Sequence, residues 1–178
     1  MEIAEGIYVI KNLYLPDLCA AYVLLSERIG YEAAPINTFA GAVVNPNYRN
    51  NARVILDDEE LADEVWQVSA PNLPKAMYGR KALGLNERIR FYRYDVGEKF
   101  EYHIDGYYRR PNGDQSLLTF MLYLNEEFEG GETNFAGGIS VKPETGMVLV
   151  FQHQLLHEGA AVTKGRKYVL RSDVMFSL

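Results

Sequence analysis

Short apolar or alternating runs crowd the C-terminal half of the chain, at residues 88–94, 99–104, 117–125, 139–142, 147–151, 158–163 and 167–176. Gly, Pro, Asn and Asp part them, and closely spaced strands cut by such turn formers predict an all-β sandwich or barrel. The N-terminal half has another texture. Residues 7–13 read as a short strand, and Pro16-Asp17 then opens a helix predicted to run to Ile29. Leu18, Ala21, Tyr22, Leu25 and Ile29 share one face of it at helical spacing, and Gly30 supplies the stop. Residues 31–50, rich in Ala, Asn, Pro and Gly, read as weak strand plus loop, with a lid expected at 38–50. Asp57-Asp58 introduces a second helix, whose Glu59 and Glu60 suit the positive end of the helix dipole. Pro71 and Pro74 prevent its continuation.

The architecture expected from this pattern is mainly β with supporting N-terminal helices. It is one domain over residues 1–178, with helical support and lid in 1–85. A double-stranded β-helix, the jelly-roll or cupin-like barrel, occupies 86–178. The mouth of such a barrel is the natural place for a metal and small ligands.

Composition narrows the function classes. Hydrophobic residues make up 48% of the chain and charged ones 24%, which is the globular average. The net charge of −6 leaves no basic footprint, which argues against a nucleic-acid partner. Cys19 is the only cysteine, so no internal disulfide and no thiolate zinc site can form. A reducing, intracellular compartment is therefore expected, cytoplasmic and soluble. No apolar run is long enough for a membrane span, and the N-terminus lacks a signal-peptide pattern.

Chemistry concentrates at His103-Ile104-Asp105. Two side chains one residue apart on a strand share a face, so this pair offers a nitrogen and a carboxylate oxygen to one ion. His157 can close the set, and two His plus one carboxylate form the facial triad of non-haem Fe(II) sites. His153 shares strand parity with His157 and is its rival. The plainer role for His153 is a partly exposed polar residue at the rim.

The surroundings of these residues form an ordered series. Arg93-Tyr94-Asp95-Val96-Gly97 leads into Phe100-Glu101-Tyr102-His103-Ile104-Asp105. Leu118-Thr119-Phe120-Met121-Leu122-Tyr123-Leu124-Asn125 follows, then Gly130-Gly131-Glu132-Thr133-Asn134-Phe135. Pro143 and Gly146 precede a Val-Leu-Val-Phe strand, and His157-Glu158-Gly159 and Gly165-Arg166-Lys167-Tyr168 end the series. In order and spacing this resembles the prolyl 4-hydroxylase branch of the Fe(II)/2-oxoglutarate-dependent dioxygenases over residues 86–178, and more loosely from Asn51 through the second helix.

The resemblance implies Fe(II) held by His103, Asp105 and His157. Three open positions remain, two for 2-oxoglutarate and one for O2, with ascorbate as reductant. Lys167, ten residues after His157, stands at the family position that pairs with the distal carboxylate of 2-oxoglutarate. Tyr94 matches a family tyrosine near the co-substrate. Thr119, Met121 and Tyr123 share a strand face, and the two hydroxyls are candidates to hydrogen-bond the co-substrate. Two departures stand out: Asp173 replaces a tryptophan common among relatives, and Arg171 points to the same side as Lys167. Arg171 is thus a second candidate for the distal carboxylate, or an ion-pair partner of Asp173 inside the barrel. The Gly130-Gly131 pair reads as a tight turn rather than a catalytic part.

The implied reaction decarboxylates 2-oxoglutarate oxidatively to succinate and CO2 while hydroxylating a C–H bond. By the resemblance the acceptor is a prolyl residue of a protein or peptide; a free amino acid or other small molecule is the alternative. Tyr107, Tyr108, Arg109 and Arg110, just after the Asp ligand, are substrate-side candidates, although loop residues of this kind also serve as plain solvated turns. Arg53 and Arg93 are candidates for the same mouth, with surface or ion-pair support as their plainer role. More distant readings are a cupin-like metal-binding protein that does not use 2-oxoglutarate, and a binding module with a relict barrel.

Overall fold

The computed structural model describes residues 1–38, 41–43, 45 and 47–178, with backbone only at 36–38 and 41–42. The chain starts with β1 (Glu2–Ala4), β2 (Ile7–Ile10), α1 (Pro16–Ile29), β3 (Glu32–Ala33), β4 (Ile36–Thr38) and β5 (Gly41–Val43). It continues through β6 (Ala52–Asp57), α2 (Glu59–Ser69), β7 (Ala76–Met77), β8 (Arg80–Leu85), β9 (Arg88–Tyr94) and β10 (Phe100–His103). The remaining strands are β11 (Gln115–Tyr123), β12 (Phe128–Gly130), β13 (Thr133–Phe135), β14 (Ser140–Val141), β15 (Val148–Gln152), β16 (His157–Gly159), β17 (Val162–Gly165) and β18 (Lys167–Phe176).

Both helices form where their caps predict. Pro16 sits in the first turn of α1, and Gly30, at φ 97°, ends it with its N–H on the Ser26 carbonyl. The buried face of α1 differs from the expected one, however: it is Cys19, Tyr22 and Ser26, while Leu18 and Ile29 are exposed. A polar interaction turns the helix, because the Tyr31 hydroxyl donates to Ser26 Oγ at 2.8 Å. In α2 the Asp58 carboxylate accepts from the Leu61 N–H at 2.9 Å, which satisfies one of the free amides of the first turn.

The long sheet has the order β1-β2-β15-β11-β18-β9-β6-β3, with β8 pairing the second half of β18. Residues 1–85, expected to supply helical support, a lid and short strands at 7–13 and within 31–50, contribute strands to both edges of this sheet. The physical reason is that β2 pairs β15 and β6 pairs β9 along their lengths, which leaves neither flank of the barrel strands bare. Alternation along β11 splits the core in two. Leu118, Phe120 and Leu122 face the helices, together with Phe91, Val150 and Leu170. Tyr123 faces the barrel interior with Leu149, Phe151 and Val169. Because both faces of the sheet are covered, β18 is buried almost throughout and reads as a continuous run.

A second sheet, β10-β16-β13-β14, closes the barrel over the inner face of the first. The run expected as one strand at 158–163 is split between β16 and β17, since β16 pairs with β10 and β13 while β17 turns away to pair with β12. Gly146 shows how tightly the chain is drawn around this core: at φ 76° its added Cβ would lie 2.1 Å from the Tyr14 carbonyl oxygen. The lid expected at 38–50 lies partly outside the described residues. Within the described part, the Glu101 N–H donates to the Tyr48 carbonyl and Arg49 bridges to Phe100, which ties this stretch to β10.

Candidate metal centre

The second sheet places the two candidate histidines side by side. His103 ends β10, His157 begins β16, and they are register partners with ring centres 4.3 Å apart. Asp105 lies just beyond β10, where its N–H is held by the His153 carbonyl at 2.9 Å. One ligand atom from each of His103, Asp105 and His157 falls within 4.8 Å of the others. His103 Nδ1 lies 2.7 Å from the Glu101 carbonyl and His157 Nδ1 lies 2.9 Å from the Leu155 carbonyl. With Nδ1–H donating to those oxygens, each Nε2 keeps its lone pair for a metal. Each Nε2 stands 3.8 Å from an Asp105 oxygen.

Protonation states match this use. Burial, reinforced by the neighbouring His157 ring, lowers His103 to about 4. Burial also lowers His157. For Asp105 burial works the other way, but Arg171 and the two imidazoles outweigh it and hold the carboxyl below its ordinary range. Two neutral imidazoles and one carboxylate at neutral pH are the donor set of a facial-triad metal.

Arg171 and Thr119 hold that carboxylate. Arg171 Nη2 lies 3.3 Å from Asp105 Oδ2 and 3.0 Å from Asp173 Oδ1. The Thr119 hydroxyl donates to Asp105 Oδ2 at 2.5 Å. It also accepts from His153 Nδ1 at 2.9 Å, while His153 Nε2 accepts from the Ser116 hydroxyl at 2.9 Å. Ser116 Oγ in turn accepts the Tyr108 N–H at 2.8 Å. His153 is therefore neither a rim residue nor part of the triad. It is 1% exposed, and both its nitrogens are occupied.

Lys167 opens the inner edge of the same pocket, whose lining also includes Tyr92, Tyr94, Phe100, Met121, Thr133 and Gly159. It is 1% exposed, and its ammonium donates to the Gly131 carbonyl at 2.6 Å. The rings of Tyr94 and Tyr123 flank it at 5.1 and 5.4 Å. No carboxylate pairs with it among the described residues, and burial lowers its pKa to about 7. Gly130 and Gly131, at φ 74° and 70°, make the expected tight turn. That turn also carries the carbonyl on which Lys167 rests.

Other candidates are placed differently. The Tyr123 hydroxyl is 2.7 Å from Thr133 Oγ1, so its polar end is already engaged. Arg93 faces the helices and contacts Glu27 at 3.1 Å, away from the mouth. Arg109 bonds Gln115, and Arg110 bonds Glu87 at 2.5 Å. Tyr107 stands edge-on to His153 at 5.7 Å, and both it and Tyr108 are exposed beside the triad. Arg53 lies on the barrel side of β6 opposite Tyr92, 3.8 Å from the exposed Glu32. Three residues in or beside the pocket escaped the sequence reading: Tyr92, which lines it, Arg49, which lies over the Tyr92 and Phe100 rings, and Arg90, which contacts Asp173. Strand alternation would have found Arg90 and Tyr92, because 90, 92 and 94 share a face of β9.

The fold is a double-stranded β-helix that brings two histidines and an aspartate together as a candidate metal site. The family model of the 2OG-Fe(II) oxygenase superfamily matches residues 89–172. Among curated proteins the chain is 32% identical to Probable prolyl 4-hydroxylase 10 of Arabidopsis thaliana, over 46% of this chain and 39% of that one. It is 28% identical to Prolyl 4-hydroxylase 13 of the same plant, over 92% of this chain and 68% of that one. The first match thus spans about two fifths of the relative's length. A prolyl hydroxylase from Trichoplax adhaerens, solved with a hypoxia inducible factor oxygen degradation domain peptide fragment, shares the fold at TM-score 0.72 and 17% identity, covering 95% of this chain and 83% of that one. A Pseudomonas putida prolyl-4-hydroxylase does so at TM-score 0.70 and 20% identity, covering 95% and 92%. The chain is thus similar to the 2OG-Fe(II) oxygenase superfamily over residues 89–172, and to prolyl 4-hydroxylases in sequence and fold.

Proposed function

We propose that this protein is an Fe(II)- and 2-oxoglutarate-dependent hydroxylase acting on a prolyl residue of a protein or peptide. The observation that carries the reading is the pairing, in one pocket, of a neutral His/carboxylate triad with a buried lysine that makes no ion pair among the described residues. His103, Asp105 and His157 would hold the metal, and Lys167 the distal carboxylate of the co-substrate by a charge-assisted hydrogen bond. Bound iron with 2-oxoglutarate and O2 supplies the oxidative decarboxylation to succinate and CO2 that hydroxylates a C–H bond, with ascorbate as reductant.

The chain's own groups do the rest. Backbone carbonyls orient both imidazoles, Arg171 and Thr119 fix the carboxylate, and Tyr94 and Tyr123 keep water from the ammonium end. Engagement of Arg171 by Asp105 and Asp173 favours Lys167 over Arg171 as the anchor. The prolyl acceptor is supported by the relatives, whose names specify prolyl hydroxylation. The catalytic unit is taken as one domain of residues 1–178, since strands from both halves share the long sheet. Lone, buried Cys19 supports a reducing, cytoplasmic setting. No helix among the described residues is long and apolar enough to cross a membrane.

The test is incubation of the ferrous protein with 2-oxoglutarate, ascorbate and a library of proline-containing peptides. Succinate formation coupled to a product heavier by one oxygen on proline is expected. Metal and 2-oxoglutarate bound without any succinate would overturn the reading.

A further inference from the structure

The barrel-side face of β9, β6 and β18, next to the triad, carries more positive charge than its neighbours neutralise. Arg90 and Arg171 are register partners on adjacent strands, an arrangement that costs stability when like charges stand directly opposite. Asp173 sits between them, 3.5 Å from Arg90 and 3.0 Å from Arg171, and is the shared counter-charge. Among the described residues Arg53 has only the exposed Glu32, at 3.8 Å, as an ion-pair partner, and its buried Nε finds no hydrogen-bond partner there. Arg49 is 6% exposed. Its Nε is used by Asn51, but its buried Nη2 likewise has no partner among the described residues.

Arg49 is also placed by the site itself. Its guanidinium lies over the Tyr92 ring at 4.8 Å and over the Phe100 ring at 4.3 Å. Phe100 stacks on His103 with centroids 3.5 Å apart and an interplanar angle of 13°. Phe100, Tyr92 and His103 all line the pocket. A cation held between two aromatic faces beside the pocket, with a desolvated N–H left over, calls for an anionic acceptor brought within its reach. Lys167 already answers the charge of the co-substrate from the opposite end. The field of Arg49, Arg171 and Arg90 on Tyr92 is strong enough to lower that buried phenol against its own desolvation, which otherwise raises it.

We propose that Arg49, Arg53 and Arg90 form an anion-binding face at the mouth of the pocket, and that it takes a carboxylate carried by the acceptor substrate. This rests on the hydroxylase reading and deepens it, by naming the acceptor as an acidic prolyl substrate. The carboxylate is supplied either by an acidic side chain near the proline or by a free C-terminus.

The probes are four. One is a capped, proline-containing peptide with glutamates beside the proline, and another is the same peptide with glutamines. The third is the glutamine peptide with an uncapped C-terminus, and the fourth is free L-proline. Binding to the metal-loaded, 2-oxoglutarate-bound protein is measured without oxygen, by fluorescence anisotropy for the peptides and calorimetry for proline. At least one carboxylate-bearing probe is expected to bind about tenfold more tightly than the capped glutamine peptide, as one charge-assisted hydrogen bond implies. Which one does so identifies the source of the carboxylate. The preference should shrink at high salt and in R49Q and R53Q, and the salt response of the unaltered protein serves if a variant fails to fold. Equal affinity for all four, or a preference untouched by both substitutions and by salt, overturns the anion face. So does R49Q weakening 2-oxoglutarate binding in place of acceptor binding. Failure of the hydroxylase reading is seen separately, as absence of 2-oxoglutarate binding and of succinate, whatever the peptides do.

Discussion

Replacing Lys167 with methionine should stabilise the ligand-free protein and abolish its response to 2-oxoglutarate. The lysine is 1% exposed and makes no ion pair among the described residues, and burial, only partly opposed by the Glu132 charge, takes its pKa from 10.5 to about 7. Between those two values the unfolded chain binds a proton that the folded chain lacks, so stability rises with pH through this window; below about pH 7 the full cost of the buried charge is present. At about 1.4 kcal/mol per pH unit, the lysine withholds on the order of 4 kcal/mol at pH 7. Methionine has similar length and no charge to desolvate. It forfeits the 2.6 Å hydrogen bond to Gly131 and the two ring contacts, together about 2 kcal/mol. The net gain is about 2 kcal/mol, or roughly 4–8 °C in Tm for a chain of this size. The unaltered protein should gain about 2.7 kcal/mol from 2-oxoglutarate at a hundredfold excess over Kd, and the methionine variant almost none. Thermal melts of both proteins with a divalent metal, with and without 2-oxoglutarate, decide the matter. A variant that melts lower than its parent at pH 7 and still shifts with 2-oxoglutarate would refute both the desolvation argument and the anchoring role.

The affinity for 2-oxoglutarate in the unaltered protein should fall as pH rises from 7 to 9, because a neutral Lys167 must regain a proton to pair with the dianion; titration calorimetry across that range reads it, and a flat profile counts against Lys167. Thr119→Val removes the hydroxyl shared by Asp105 and His153, so Co(II) affinity should drop about tenfold with little change in fold, as measured by visible absorbance and circular dichroism. Arg171→Lys should weaken metal binding by a similar factor while leaving the KM for 2-oxoglutarate within about twofold; a large rise in that KM would transfer the anchor to Arg171. Because burial lowers His103 to about 4, Co(II) should stay bound down to about pH 5; release centred near the ordinary imidazole value of about 6.5 would contradict the buried, neutral triad.

How legible the molecule was in its sequence depends on which interaction is asked about. The approach of His103, Asp105 and His157 and the placing of Lys167 in their pocket were readable through the family resemblance, whose motif spacing carries them onto neighbouring strands. Position 157 pairs with 103 across two strands of the second sheet, and 167 begins the strand that returns beneath them. The helices were readable from caps, since Asp58 and Gly30 act on backbone groups within a turn of themselves. The packed face of α1 was not, because Ser26 is buried by a hydroxyl from Tyr31, which no hydrophobic period reports. His153 was misplaced for a related reason. Strand parity puts it beside His157, but the chain leaves β15 at Gln152 and a turn swings the ring towards Thr119 and Ser116. Arg49 was invisible because its partners are rings 43 and 51 residues away, at Tyr92 and Phe100. It lies in a stretch whose composition speaks only of loops.

The arrangement of charge explains why the site is built across two sheets rather than on one. The long sheet supplies cations that cannot move: Lys167, Arg171 and Arg90 project from strands paired on both sides and backed by a core of Leu118, Phe120 and Leu170. The short sheet supplies the imidazoles, from strand ends where a backbone carbonyl can set each tautomer. A single sheet could not present the imidazoles and the buried ammonium towards each other with a gap between. Holding Lys167 buried and ligand-free costs stability, which the rigid outer core offsets, so the cavity stays formed before anything enters it. On the proposed hydroxylase reading, acceptor recognition falls to what remains at the open edge. It is there that Arg49 reaches from the N-terminal segment onto Phe100, one ring away from a candidate metal ligand.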